Sequence, residues 1–217
     1  MTDCTPDYTY ERTKLSAGFT CIIGVDEVGR GPWAGPVVAA AAWLNPNDLP
    51  LDARDSKKLT AKKREALYPI IKEKAYVALG EASVEEIDAL NIREATFLAM
   101  TRAIENLSET LSEFRIAPDF IAVDGNALPK NLPCPAEYVI KGDDKVLSIA
   151  CASIVAKVYR DKLMADLAEK HPHYGWESNA GYGTKLHQQG LQNVGVTAHH
   201  RKSFKPIRTL LETTPHV

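Results

Sequence analysis

Apolar positions in this chain come in short uncharged runs, and each run ends abruptly at glycine, proline or acid. Phe19-Thr20-Cys21-Ile22-Ile23-Gly24-Val25 is rich in β-branched residues and free of charge, which predicts a buried strand. Gly35 to Leu44 predicts a second strand, closed by the turn-rich Asn45-Pro46-Asn47-Asp48-Leu49-Pro50. Tyr76–Glu81, Asp119–Gly125 and Glu137–Ile140 predict three more. Between them the pattern turns helical. Residues 60–75 read as a helix capped by Thr60, which Pro69 should kink or break. Asn91 with Glu94 three residues on resembles a capping box opening a helix to about Leu111. Residues 145–170 read as a long helix whose face includes Ala150, Cys151, Ala152, Ser153 and Ala156, small enough for close packing on a sheet. Consecutive strands early and alternating strands and helices later predict an α/β domain with a mixed sheet. Residues 1–17 are polar and irregular and read as a loose arm.

Composition narrows the class. With 217 residues, 45% of them hydrophobic, the chain can bury a full core, and no apolar stretch reaches bilayer length. The first twenty residues carry Asp3, Asp7 and Glu11 and no signal-peptide core, so export is not expected. Cys4, Cys21, Cys134 and Cys151 are widely spaced and read as thiols in a reducing cytoplasm.

The formal net charge of −2 conceals an asymmetry. Residues 1–140 hold 15 Lys+Arg against 21 Asp+Glu, and residues 141–217 hold 11 against 7, so the second part is positive. From Ser178 to Leu211 there is no acid, while Lys185, Arg201, Lys202, Lys205 and Arg208 are present. Such a stretch suits a polyanion with salt-dependent binding, and equally a solvated positive face.

Two strand ends carry candidate chemistry. The first run terminates in Asp26-Glu27 and then Gly29-Arg30-Gly31; Phe120 to Val123 terminates in Asp124-Gly125. Open α/β sheets bind ligands at the carboxyl ends of their strands. Carboxylates converging there repel one another unless divalent cations, which favour oxygen ligands, lie between them. Asp143 stands just before the long helix, where a helix-start role competes with a ligand role. Histidines 187, 199 and 200 read as structural or surface residues, and Trp33 as a packed aromatic.

Gly24-Val25-Asp26-Glu27-Val28-Gly29-Arg30-Gly31-Pro32 with Gly35-Pro36 resembles the signature of the ribonuclease HII (type 2 ribonuclease H) family. The resemblance continues in order through Asp55-Ser56-Lys57-Lys58-Leu59, Val123-Asp124-Gly125, Lys141-Gly142-Asp143, Ala152 to Val158 with Arg160-Asp161, Gly181-Tyr182-Gly183-Thr184 and His200-Arg201-Lys202-Ser203-Phe204. It implies an RNase H-like mixed sheet flanked by helices, with an arm at 1–17, a catalytic domain at 18–170 and a basic helical extension at 171–217 completing the substrate face. It implies Asp26, Glu27, Asp124 and Asp143 as the catalytic, metal-binding acids for Mg²⁺ or Mn²⁺. Gly29, Arg30, Gly31, Lys57, Tyr182 and Arg201 would contact substrate, with Tyr182 stacking on the sugar at the RNA–DNA junction. The implied activity is cytoplasmic cleavage of RNA in RNA–DNA hybrids and incision 5′ of single ribonucleotides in duplex DNA; oligomeric state stays open with monomer as the default, and no obligate protein partner is evident in the sequence. Ala180 stands where the family usually has a basic residue. The competing readings are a non-catalytic hybrid-binding module and a DNA nuclease on the same fold.

Overall fold

The computed structural model describes residues 5–213. One mixed sheet holds β1 (Ile22–Val28), β2 (Val37–Leu44), β3 (Ala75–Ala82), β4 (Phe120–Asp124) and β5 (Ala136–Val139), in the spatial order β3-β2-β1-β4-β5. β2 runs antiparallel to β1, whereas β4 is parallel to β1 and β5 parallel to β4. The helices are α1 (Thr9–Ser16), α2 (Ala61–Lys74), α3 (Val84–Leu90), α4 (Ile92–Ser112), α5 (Leu147–Lys170), α6 (Trp176–Asn179), α7 (Lys185–Val194) and α8 (Lys205–Thr213). This is the expected α/β class with a helical C-terminal part.

The described chain divides into two compact units, residues 5–28, 38–81 and 97–158 in one and 29–37, 82–96 and 159–213 in the other. The division falls within α5, after Val158, and the second unit also takes up two earlier segments.

In the first unit, the small-residue face of α5 lies on the sheet. Ala150, Cys151, Ala152 and Ala156 are fully buried in a core shared with Ala40 and Ala42 of β2. The approach is closest at Gly24, where a Cβ would stand 2.4 Å from the Ile149 backbone nitrogen. Only glycine lets strand and helix meet at that depth.

Residues 5–17, expected as part of a loose arm, instead contain α1, with Tyr8 and Glu11 buried; residues 1–4 lie outside the described residues. Glu11 Oε1 accepts the Ser148 N–H at 2.8 Å, one of the donors that the first turn of α5 leaves without an intrahelical partner. Burial pushes the Glu11 carboxyl above its usual range, and the Ser148 bonds oppose that shift. The sequence hides this role because α1 is polar and its one buried acid is explained by a partner far along the chain.

Pro69 also departs from expectation: α2 runs unbroken through it, behind Thr60, whose Oγ1 accepts the Lys63 N–H at 3.3 Å. Pro69 and Glu65, whose carbonyl loses its helical donor, are both exposed, so the freed carbonyl sits at a wet residue.

In the second unit, Ala34, Met164, Tyr174, Trp176, Leu191 and Ile207 form a separate core.

Candidate active site

The pairing of β1 with β4 places the first acids. Val25 is opposite Val123 in parallel register, so the next residues, Asp26 and Asp124, emerge side by side at the carboxyl ends of adjacent strands. Asp26, Glu27 and Asp124 each present an oxygen, all within 4.8 Å of one another. Asp26 is buried and the other two half-buried. Asp26 Oδ1 accepts the Glu27 N–H at 2.7 Å, and the Asp26 carboxylate also takes a hydrogen bond from the Ser153 hydroxyl of α5. Asp124 Oδ1 accepts the Gly142 N–H at 2.6 Å, which ties it to the 3₁₀ turn Gly142–Asp144.

Asp143, on that turn, is buried but falls in a second acidic group with Asp55 and Asp144. The four predicted acids are thus a triad plus an electrostatically linked neighbour rather than one tight cluster. Lys57 Nζ stands 3.8 Å from Asp143 Oδ2, on an exposed side chain. Asp55, which sequence reasoning did not single out, caps the turn Ser56–Lys58 by accepting the Lys57 N–H at 2.8 Å. Ser56 and Ser153 hydroxyls lie 2.8 Å apart, so Ser153 joins Asp26 to that turn. The signal for Ser153 was a polar residue on an otherwise apolar helix face.

The electrostatics point to a cation. Burial, then the charges of Glu27 and Asp124, drive the Asp26 carboxyl well above its usual range. Burial, then Asp124 and Asp55, push Asp143 up to about 6, with Lys57 opposing. Like charges held this close disfavour joint ionisation, and a divalent ion removes the conflict. An all-oxygen carboxylate set suits Mg²⁺ or Mn²⁺.

The glycine–arginine loop belongs to the second unit, where two buried guanidiniums organise it. Arg201 Nε donates to Gly35 O at 2.9 Å, its Nη1 to Arg30 O at 3.0 Å, and its Nη2 to Gly29 O at 2.6 Å and Pro36 O at 3.2 Å. Arg160 Nε, Nη1 and Nη2 donate to the carbonyls of Pro36, Ala180 and Ala34. Burial lowers Arg160 to about 10 and Arg201 to about 9. The expectation that Arg201 contacts substrate is therefore corrected: it is fully buried, and its donors are engaged by the loop's own carbonyls. Net positive charge in sequence does not distinguish a guanidinium facing phosphate from one facing carbonyls.

Gly29 has φ of 94°, and a Cβ there would meet Arg160 Nε at 2.2 Å, so this position combines a left-handed backbone with close approach. Arg30 is exposed. Tyr182 is half-exposed and its ring covers Gly31, Cε1 lying 3.1 Å from where a Gly31 Cβ would stand. Trp33 packs on Gly183 and tilts against the His187 ring at 5.8 Å, as a packed aromatic. His187 and His200 are fully buried, in keeping with their structural reading.

The ribonuclease HII family model matches residues 23–207. A ribonuclease HII of Ruegeria pomeroyi is 58% identical over 206 residues, covering 95% of this chain and 85% of that one. The crystal structure of ribonuclease H2 from Pyrococcus horikoshii OT3 superposes with a TM-score of 0.68 at 25% identity, covering 89% of this chain and 98% of that one. Bst-RNase HIII in complex with Mn²⁺ shares the fold, with a TM-score of 0.70 at 18% identity over 88% of this chain and 69% of that one. Sheet and acids together define a metal-dependent ribonuclease H, a hydrolase. Within that class, the chain belongs to the ribonuclease HII family.

Proposed function

We propose that this protein is an endoribonuclease that hydrolyses the RNA strand of RNA–DNA hybrids and incises 5′ of a single ribonucleotide in duplex DNA, leaving 3′-hydroxyl and 5′-phosphate ends. The observation that carries this reading is the triad of Asp26, Glu27 and Asp124, with oxygens within 4.8 Å and Asp26 buried against its own charge. These residues, with Asp143 beside them, would hold Mg²⁺ or Mn²⁺; the Mn²⁺ complex of the HIII structure supports that class of ion. Such an ion, when bound, stabilises charge on the scissile phosphate and acidifies a bound water.

The chain's residues divide the remaining work. Ser153 and the Glu27 amide orient Asp26, and Gly142 orients Asp124. The exposed amine of Lys57 is suited to a backbone phosphate. Backbone of Gly29-Arg30-Gly31 can approach a 2′-hydroxyl, the group that separates RNA from DNA. The Tyr182 ring offers a face to the adjacent sugar. Contacts of this kind carry no base information, so cleavage is expected to be indifferent to sequence. The buried free thiols Cys21 and Cys151 suit a reducing compartment, the cytoplasm.

The deciding assay uses a labelled duplex bearing one ribonucleotide, beside an all-DNA duplex and a uniform hybrid. The reading expects Mg²⁺- or Mn²⁺-dependent cuts in the two ribonucleotide-containing substrates and none with chelator. Cleavage of all-DNA at a similar rate, or products from Asp124→Asn near the wild-type rate, would overturn it.

A further inference from the structure

Two imidazoles at the heart of the second unit form a hydrogen-bonded line that ends on the backbone of Tyr182. The Thr197 N–H donates to His200 Nδ1 at 3.0 Å, and Thr197 Oγ1 lies 2.9 Å from the same nitrogen. The Nε2 atoms of His200 and His187 are 3.0 Å apart. Trp176 Nε1 donates to His187 Nε2 at 3.2 Å, and His187 Nδ1 is 3.0 Å from the Tyr182 carbonyl oxygen.

These partners fix the protons. A backbone N–H can only donate, so His200 Nδ1 is bare and its proton sits on Nε2. His187 Nε2 receives both that proton's bond and the indole's, so it too is bare, and the His187 proton sits on Nδ1, aimed at the Tyr182 carbonyl. Every nitrogen in the line is satisfied with both rings neutral. A further proton on either ring would confront a donor. In agreement, burial pushes both imidazoles down, His200 to about 3.

The line terminates where the backbone is least regular. Ala180 and Gly181 have φ of 48° and 87°. The Tyr182 N–H reaches Asn179 O at 2.9 Å, and the Tyr182 carbonyl also accepts the Thr184 N–H at 2.8 Å. The Tyr182 backbone otherwise bonds within this turn, its neighbours are held by Trp33 N–H on Gly181 O and Arg160 on Ala180 O, and the bond from His187 ties Tyr182 itself to the unit's core.

We propose that His187 and His200 are positioning residues for Tyr182, holding its ring over Gly31 and thereby setting how well a ribonucleotide-containing duplex is engaged. The inference rests on the reading that Tyr182 contacts the substrate sugar. Its chemistry lies in binding rather than bond breaking, so it acts on KM.

The test is a double-mutant cycle on the full chain, using the single-ribonucleotide duplex. His187→Leu removes the bond to Tyr182 and is expected to raise KM about tenfold, the scale of one buried hydrogen bond, with kcat within about twofold. His187→Asn, whose amide nitrogen stands in for Nδ1, is expected to recover most of that loss. In a Tyr182→Ala background, His187→Leu should add almost nothing, because the ring it positions is gone. Additive losses would overturn the inference in favour of a purely architectural role. A KM raised by Tyr182→Ala but unmoved by His187→Leu would overturn the inference alone; a KM unmoved by Tyr182→Ala would overturn the sugar-contact reading and the inference with it. Should His187→Leu fail to fold, His200→Gln replaces it and is expected to be mild, since its amide keeps a donor toward His187. A large KM rise from His200→Gln would overturn the proton arrangement. Nitrogen-15 spectra of the wild type should show one protected Nδ1–H and one protected Nε2–H; two of the same tautomer would overturn it equally.

Discussion

The carboxylates of the first unit, buried at Asp26 and half-buried beside it, and the buried imidazoles of the second are both titratable clusters, yet they are built on opposite logic. Asp26, Glu27 and Asp124 are acceptors of one charge crowded together, and the crowding drives Asp26 upward. His187 and His200 alternate donor and acceptor along a line, and burial drives both downward into the neutral form they need. A cluster that satisfies itself can hold its neighbours in place without a ligand. One that conflicts with itself is relieved by something from outside, and that internal conflict supports the proposal that a cation is held at the acids.

Breaking each cluster should give opposite signatures. The largest effect expected is on cleavage: Asp124→Asn should lower kcat by about 10³-fold or more, since ion positioning is lost, while hybrid binding by fluorescence anisotropy persists. Next comes His200→Leu, which leaves the Thr197 N–H without its acceptor and His187 Nε2 with the Trp176 bond alone, and should cost about 1–3 kcal/mol in urea unfolding. Smaller is the response to ions. At about ten times Kd, Mg²⁺ or Mn²⁺ should stabilise the wild type by about 1.4 kcal/mol, raising Tm by about 2–5 °C, with little shift in Asp124→Asn. Smallest is Asp26→Asn in chelator, which removes a repelled charge and should raise Tm by about 2–4 °C while abolishing cleavage. A fall in Tm there would show that the acids are not in conflict.

Acid pH sharpens the contrast from the other side. An unfolded histidine takes its proton near 6.5, whereas His200 in the fold resists until about 3. Between those values the unfolded chain binds the extra proton, so His200 contributes stability that is complete above about pH 6.5 and lost as pH falls toward 3. Unfolding midpoints measured from pH 7 to 4 should decline in wild type and decline less in His200→Leu.

Much of this was legible in sequence because it depends on local pattern. β1, β4 and α5 follow from apolar runs and a small-residue face, and Asp26 and Asp124 stand out as charges on strands too apolar to end that way. Asp143 was found as a residue, but its grouping with Asp55 and Asp144 depends on a turn that pattern does not encode. Arg201 was placed at the substrate through the resemblance of its block; its four carbonyl partners between Gly29 and Pro36 lie far away in the chain, where local pattern does not show them. The proton order of His187 and His200 was equally invisible, since it exists only once Thr197, Trp176 and Tyr182 surround them.

Glu11 gives the fold a timetable. Its partner, the Ser148 N–H, lies 137 residues downstream. At about 5–20 residues/s, that interval of synthesis lasts about 7–27 s, through which the acid at the chain's beginning has emerged with nothing to close upon. β1 can pair early with β2, but its parallel neighbour β4 also arrives late. The segment holding Glu11 is thus made well before the helix start it closes upon, so its locking waits on the far half of the chain.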